Sequence, residues 1–265
     1  MAKIILIQAL PAARLDSREN LTRALRLLEA CQGHQPDLIC FPEYFPFSGE
    51  AELAAAARRL QAHIIAGLVE EEGGARYNTA TLFDRGGRML GRQRKHNVGI
   101  LERQGFGVVP GDGWQVWETD FGRLGVPVCI DFWGQPEAAR QLAAQSADLI
   151  VNPAIFPILR GHGQTGALTR AFDYYLPVVG VNTAAMVAEI GGRHYSLQGG
   201  HSFAIQPPAP ADNHEMSLQV RDWDNLREWV VLEGGETEAM LTVNLDLDGP
   251  RRWRPVIGNR FGFRR

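Results

Sequence analysis

The chain has 265 residues, 45% of them hydrophobic and 22% charged, with a formal net charge of −3. A domain of that size buries roughly 70–75% of its unfolded surface, so its core requires no disulfide or metal staple, and so small a charge gives no electrostatic reason to expect nucleic acid or an anionic membrane as partner. Cys31, Cys40 and Cys129 form no CxxC pair, which argues against a disulfide framework or zinc knuckle and fits a reducing, cytoplasmic compartment.

Lys3 to Ala9 is an apolar run of strand length and reads as a first buried strand rather than the core of a signal peptide. Asp16 with Glu19 resembles a capping box; Leu21, Ala24, Leu25 and Leu28 come next at helical spacing, and Gly33 is the stop. A second buried strand is expected at Leu38 to Phe41, ending at Pro42, then an alanine-rich helix from about Glu50 to Gln61 and a third strand at His63 to Val69. Thr79 to Phe83 and Met89 to Arg94 flank Asp84-Arg85-Gly86-Gly87, a hairpin signal. A second hairpin is expected around Asp120-Phe121-Gly122-Arg123, running into a strand at Leu124 to Ile130. A helix is expected at Pro136 to Ser146, with proline in its first turn, and then strands at Leu149 to Asn152, Val178 to Asn182, Phe203 to Gln206 and Met240 to Leu245. No stretch approaches the ~20 apolar residues of a membrane-spanning helix.

Pro36 to Pro42 and Ala147 to Pro153 both come after a helix and share Asp-Leu-Ile-x-x-Pro. Two similar helix–strand units suggest two sheets, each covered by helices, in a layered α/β fold. Pro207-Pro208-Ala209-Pro210 is the most linker-like segment, but the residues beyond it are too few for a second domain, so one domain over residues 1–265 is expected.

Three residues with chemical capacity sit where strands end: Glu43, Lys95 and Cys129. Strand ends of layered α/β folds deliver side chains from remote sequence to one cleft. A thiol attacks a carbonyl as thiolate, so it requires a base and an electropositive setting. Glu43 in a partly apolar pocket suits the base, and Lys95 with the Ile130 N–H suits the oxyanion of a tetrahedral intermediate.

Pro42-Glu43-Tyr44, Arg94-Lys95-His96 and Cys129-Ile130-Asp131 resemble, in order and spacing, the three motifs of the nitrilase superfamily of carbon–nitrogen hydrolases. Pro136-Glu137-x-x-Arg140, Ala147-Asp148-Leu149-Ile150, Pro153-Ala154, Arg170-Ala171, Val181-Asn182 and Gly200-His201-Ser202 resemble its later motifs, so the similarity spans nearly the whole chain. The resemblance implies a four-layer αββα sandwich, a homodimer or higher homo-oligomer, and no metal or organic cofactor. It also implies cysteine-dependent hydrolysis of small amide-like substrates through a thioester, in the manner of an amidase, ω-amidase or N-carbamoyl amidohydrolase. Glu102 occupies the place of a second glutamate that orients the lysine; Glu118 is the other acid between Lys95 and Cys129. Nitrile-directed members usually carry Trp-Glu after the nucleophile, where Ile130-Asp131 stands here, and Gly161-His162-Gly163 occupies a glycine-rich loop.

For each residue a plainer role competes. Cys129 alone would be read as a small buried hydrophobe, Glu43 and Lys95 as solvated charges, and Glu102 as a surface acid; the ordered set of motifs is what favours catalysis. Tyr44 and Trp133 either line the substrate pocket or pack in the core. His162, His194 and His201 lack the spacing of metal ligands, and Arg251 to Arg265 reads as a solvated or partner-contacting end. Two further functions share this pattern: acyl transfer to an amine or thiol, and a silent assembly subunit of the same fold.

Overall fold

The structure, a computed structural model of the chain, describes residues 1–155, 161–190, 193–209 and 226–260. Alternate residues of a strand point to opposite faces, and here both faces of the strands are buried. In β1 (Ala2–Gln8), Ile4 and Leu6 turn towards a second sheet, whereas Ile5 and Ile7 lie under helices. That is why the strand reads as a continuous apolar run rather than an alternating one.

The first sheet contains, in spatial order, β15 (Ala239–Leu245), β1, β2 (Leu38–Cys40), β4 (His63–Glu72), β5 (Ala75–Phe83) and β6 (Met89–Arg94), with β3 (Pro46–Phe47) beside β4. The second runs β14 (Val230–Glu233), β13 (Phe203–Ile205), β10 (Val178–Asn182), β9 (Leu149–Ala154), β8 (Arg123–Gly125) and β7 (Val116–Glu118). Strands β11 (Ala185–Ile190) and β12 (Arg193–Gln198) form a separate hairpin. Leu38, Cys40, Ile65 and Leu82 of the first sheet meet Leu149, Val151, Val179 and Val181 of the second. Helices α1 (Glu19–Ala30) and α2 (Glu50–Leu60) cover the outer face of the first sheet through Ala24, Leu28, Leu53 and Ala56. Helices α5 (Pro136–Ala144) and α6 (His162–Tyr174) cover that of the second through Ala138, Leu142, Ala167 and Ala171. The fold is a four-layer αββα sandwich.

The Asp-Leu-Ile echo has a structural counterpart. The Asp37 N–H donates to the Lys3 carbonyl at 2.8 Å and its carboxylate accepts the Lys3 N–H at 2.8 Å, stitching the start of β2 to parallel β1. Asp148 does the same to Arg123, at 2.7 and 2.9 Å, between parallel β9 and β8. The two sheets thus begin their inner strands with one device.

Three local expectations are corrected. The strand expected through Ile130 stops at Gly125: Pro127 has no N–H for a ladder, and Ile130 already opens α4 (Ile130–Trp133). The Asp16–Glu19 box does not form, because Asp16 is held by Arg14 at 2.8 Å and α1 begins after Arg18. Residues around Gly161-His162-Gly163, read as loop, lead into α6. Glycine is a poor helix former, but a Cβ on Gly166 would lie 2.5 Å from the Trp133 carbonyl, so close packing on α4 explains it. The basic end is α7 (Asp248–Arg260), where Arg251 bonds Asp148 at 2.8 and 2.9 Å and Arg254 donates to the Ala147 carbonyl at 2.6 Å. Pro210 and residues 261–265 lie outside the described residues.

The turn that carries Glu43 rests on the bare Cα of Gly67 in β4, where a Cβ would lie 2.4 Å from both the Pro42 carbonyl oxygen and the Tyr44 nitrogen. Both neighbours are backbone and cannot swing aside. Gly67→Ala should therefore cost about 1–3 kcal/mol by overpacking. Thermal unfolding checks this; an unchanged Tm would show that the turn has slack.

Candidate active site

Glu43, Lys95, Glu102 and Cys129 come from four segments and meet at one end of the sandwich. Glu43 leaves β2 in a turn whose next residue, Tyr44, has φ +57°. Lys95 comes immediately after β6, its N–H donating to the Asn78 carbonyl at 2.8 Å. Glu102 lies in the first turn of α3 (Ile100–Phe106) and accepts the Gly99 N–H at 2.9 Å. Cys129 occupies the bend between β8 and α4 with φ +53°, a region costly for any residue but glycine. The bend is pinned: Cys129 N–H donates to the Pro153 carbonyl at 2.8 Å, and Asn152 Nδ2 donates to the Pro127 and Cys129 carbonyls at 2.8 and 3.1 Å.

Lys95 Nζ donates to Glu43 Oε1 and Glu102 Oε2, each at 2.7 Å, with Lys95 and Glu43 only 4% and 3% exposed. Glu102 Oε1 accepts the Tyr44 hydroxyl at 2.8 Å, and Asn78 Nδ2 donates to Glu43 Oε1 and Glu102 Oε1 at 2.7 and 3.0 Å. Glu43 Oε2 accepts the Ile155 N–H at 3.0 Å, and the Cys129 thiol donates to the carbonyl of the same Ile155 at 3.8 Å.

These surroundings separate the protonation states. Burial pushes the Glu43 carboxyl above its ordinary value, and the Glu102 charge adds to this against the pull of Lys95. Burial also raises Glu102, but Lys95 and the Gly99 and Asn78 donors outweigh it and hold it below its ordinary value. Burial disfavours the Lys95 ammonium, yet the attraction of Glu43 and Glu102 keeps it firmly charged. Burial, then the Glu43 carboxylate, push the Cys129 thiol up, with Lys95 partly opposing, so the resting sulfur is a thiol beside the Glu43 carboxyl. Burial holds Tyr44 protonated as a donor.

Glu118 sits on β7 with its side chain 82% exposed, 3.9 Å from Arg123, so Glu102 is the acid brought to Lys95. Ile130 opens α4, and helix starts leave backbone N–H groups unpaired. Trp133 packs edge-on against His162, ring centroids 4.8 Å apart, and Tyr44 packs on Phe106 at 5.3 Å. Cys40 lies in the inter-sheet core and Cys31 near Met240; burial raises both thiols, Cys31 to about 11. His201 faces Glu233 and Glu236 at 3.5 and 3.7 Å; the His194 side chain is outside those described. Among the described residues no His, Cys, Asp or Glu cluster is arranged to hold a metal ion, and no helix is long and apolar enough to cross a membrane.

Asn78 and Asn152 at the site are not marked by the sequence pattern, and Asp131 is marked only as the third residue of the Cys129-Ile130-Asp131 motif. Asp131 is fully buried, its carboxylate accepting the His96 N–H at 2.8 Å, the Asn97 N–H at 2.8 Å and Asn97 Nδ2 at 2.7 Å. It locks the cysteine bend to the segment after Lys95. Its place directly after Cys129-Ile130 is the one signal the sequence offers for it.

Sandwiches of this four-layer architecture with such a site belong to the nitrilase-fold class. The carbon-nitrogen hydrolase family profile matches residues 5–209, and the chain belongs to that family. It is 30% identical over 241 residues to a deaminated glutathione amidase of Synechocystis sp. (strain PCC 6803 / GT-S), covering 74% of this chain and 83% of the relative. It is also 30% identical over 175 residues to a nitrilase of Pyrococcus abyssi (strain GE5 / Orsay), covering 58% of this chain and 65% of that protein's length. A solved Saccharomyces cerevisiae member of the nitrilase superfamily shares the fold with a TM-score of 0.75 at 22% identity, covering 96% of this chain and 93% of that one.

Removing the buried Asp131 carboxylate leaves the N–H groups of His96 and Asn97, which are partly buried, without their acceptor. Asp131→Ala should therefore lower stability by about 2–4 kcal/mol. Urea unfolding reads the loss; an unmoved midpoint would mean that the clamp contributes nothing.

Proposed function

We propose that the chain is an amidase-type hydrolase that cleaves the C–N bond of small linear amides or N-carbamoyl compounds through a thioester on Cys129. The observation that carries this reading is the contrast between two carboxylates sharing one ammonium, Glu43 pushed up and Glu102 held down. Groups whose environments drive their pKa values apart take different acid–base roles. Glu43 is the group that exchanges a proton, and Glu102 is the fixed anion that aims Lys95.

In the first half-reaction Glu43 takes the thiol proton as sulfur bonds to the carbonyl carbon, and the carbonyl π-electrons move to oxygen. Lys95 and the Ile130 N–H stabilise that oxyanion. The tetrahedral intermediate collapses, the C–N bond breaks, and Glu43 returns its proton to the departing nitrogen. In the second half Glu43 takes a proton from water, whose oxygen attacks the thioester carbon. The C–S bond then breaks and the sulfur regains its proton from Glu43. The sum is amide plus water to acid plus amine or ammonia. Supporting the amide branch are Ile130-Asp131 in place of Trp-Glu and the amidase name of the Synechocystis relative.

Ammonia release from a panel of small amides, ω-amides, N-carbamoyl compounds and nitriles tests this. Turnover is expected on at least one amide-type compound, and Cys129→Ala should reduce it by at least roughly a thousandfold. Turnover that survives the substitution would refute the assignment. On the productive substrate, kcat/KM should fall on the acid side as Glu43 becomes protonated, with a midpoint above the ordinary glutamate value of 4.5. A limb centred below that value would contradict the role given to Glu43.

A further inference from the structure

Asn78 is 1% exposed and stands on β5 inside the site, yet the proton transfers of the proposed reaction give it no part. Its backbone carbonyl accepts the Lys95 N–H at 2.8 Å. Its amide nitrogen lies 2.7 Å from Glu43 Oε1 and 3.0 Å from Glu102 Oε1. Two carboxylate oxygens offer only lone pairs, so the amide must present its NH2 group to them, one hydrogen to each. Its own Oδ1 has no partner among the described residues.

The donor count at Glu43 is uneven in kind. Oε1 receives Lys95 and Asn78, both side-chain donors aimed at one oxygen, which fills the lone-pair sites where a proton would sit. Oε2 receives the single N–H of Ile155, whose carbonyl is the group next to the Cys129 thiol. We propose that Asn78 is a positioning residue that confines the exchangeable proton of Glu43 to Oε2, on the side of Cys129, while tying Glu43 and Glu102 into one rigid unit. Without Asn78, Oε1 keeps only Lys95, and a proton can reside there instead of on the oxygen that faces Ile155. The charged and titratable groups facing Glu43 are Lys95, Glu102, Cys129 and, through Glu102, Tyr44. None of them supplies a second donor to Oε1. This inference rests on Glu43 being the base of the proposed reaction.

The test needs no knowledge of the substrate. The rate of iodoacetamide alkylation at Cys129 is measured by peptide mass spectrometry between pH 3 and 9, for the intact chain, Glu43→Gln, Asn78→Ala and the isosteric Asn78→Asp. With Glu43 as base, the unmodified chain loses reactivity along a one-proton acid limb, and Glu43→Gln abolishes that limb. Each lost N–H donor raises a carboxyl by about one pH unit, so Asn78→Ala should move the limb's midpoint up by about that much. Asn78→Asp, which adds a carboxylate to the same space, should move it further. If Asn78→Ala fails to fold, the same-shaped Asn78→Asp carries the comparison. A limb that survives in Glu43→Gln overturns the base assignment and this inference with it. A limb lost in Glu43→Gln but unmoved in both Asn78 variants, with only the plateau lowered, overturns the positioning role alone and leaves Asn78 a packing residue.

Discussion

A lysine ammonium sealed between two carboxylates is the interaction on which the rest of this site depends. Taking three charges out of water costs several kcal/mol apiece unless each is paired and fully hydrogen-bonded. The structure meets that demand with donors from separate elements: Asn78 from β5, the Tyr44 hydroxyl from the turn after β2, Gly99 ahead of α3 and Ile155 after β9. No single segment satisfies the cluster. Once the sandwich closes, however, the charges have fixed places and little freedom to relax, which is the preorganised condition that favours chemistry over mere binding.

The thiol presents the opposite problem. Burial next to a carboxylate keeps it protonated, so its position must be right before it can be activated. The φ of +53° at Cys129 turns the chain sharply from β8 into α4. Such a bend persists only where its surroundings over-determine it. Here Pro153, Asn152 and Asp131 hold it from three directions, through backbone and side-chain bonds. Asp131 matters most for the geometry as a whole. It fastens the cysteine bend, which comes after β8 of the second sheet, to residues 96–97, which come just after β6, an edge strand of the first. The Cys129 thiol and the Lys95 ammonium therefore keep their spacing through bonds from α4 to the segment after β6.

Much of this was legible from residue order. The apolar runs of β1, β2 and β9 and the Asp84-Arg85-Gly86-Gly87 turn are local signals with local causes; Lys95 directly after β6 came with them, whereas Cys129 stands four residues beyond the end of β8. What stayed hidden depends on distant neighbours. Asn78 and Asp131 act on partners 35 residues away, and an isolated Asn beside a strand or Asp after a cysteine carries no mark of that. Helix α6 was masked for a related reason: Gly166 answers to the approach of Trp133, so the composition of the segment reflects packing rather than helix propensity.

The echoed Asp-Leu-Ile-x-x-Pro segments connect these observations. In each sheet the aspartate anchors an inner strand to its parallel neighbour at the same relative position, and the strand then runs to its proline and into the site. Glu43 stands one residue beyond the first proline, and Ile155, whose N–H holds Glu43 Oε2, stands two beyond the second. Equivalent anchoring at the far ends fixes the register of both inner strands, and a one-residue slip would reverse which face every side chain occupies. The carboxylate and the backbone donor that orients it are therefore aligned by two matched strands measured from two matched aspartates. That arrangement explains how a bond of 3.0 Å across separate sheets is set by features more than a strand's length away.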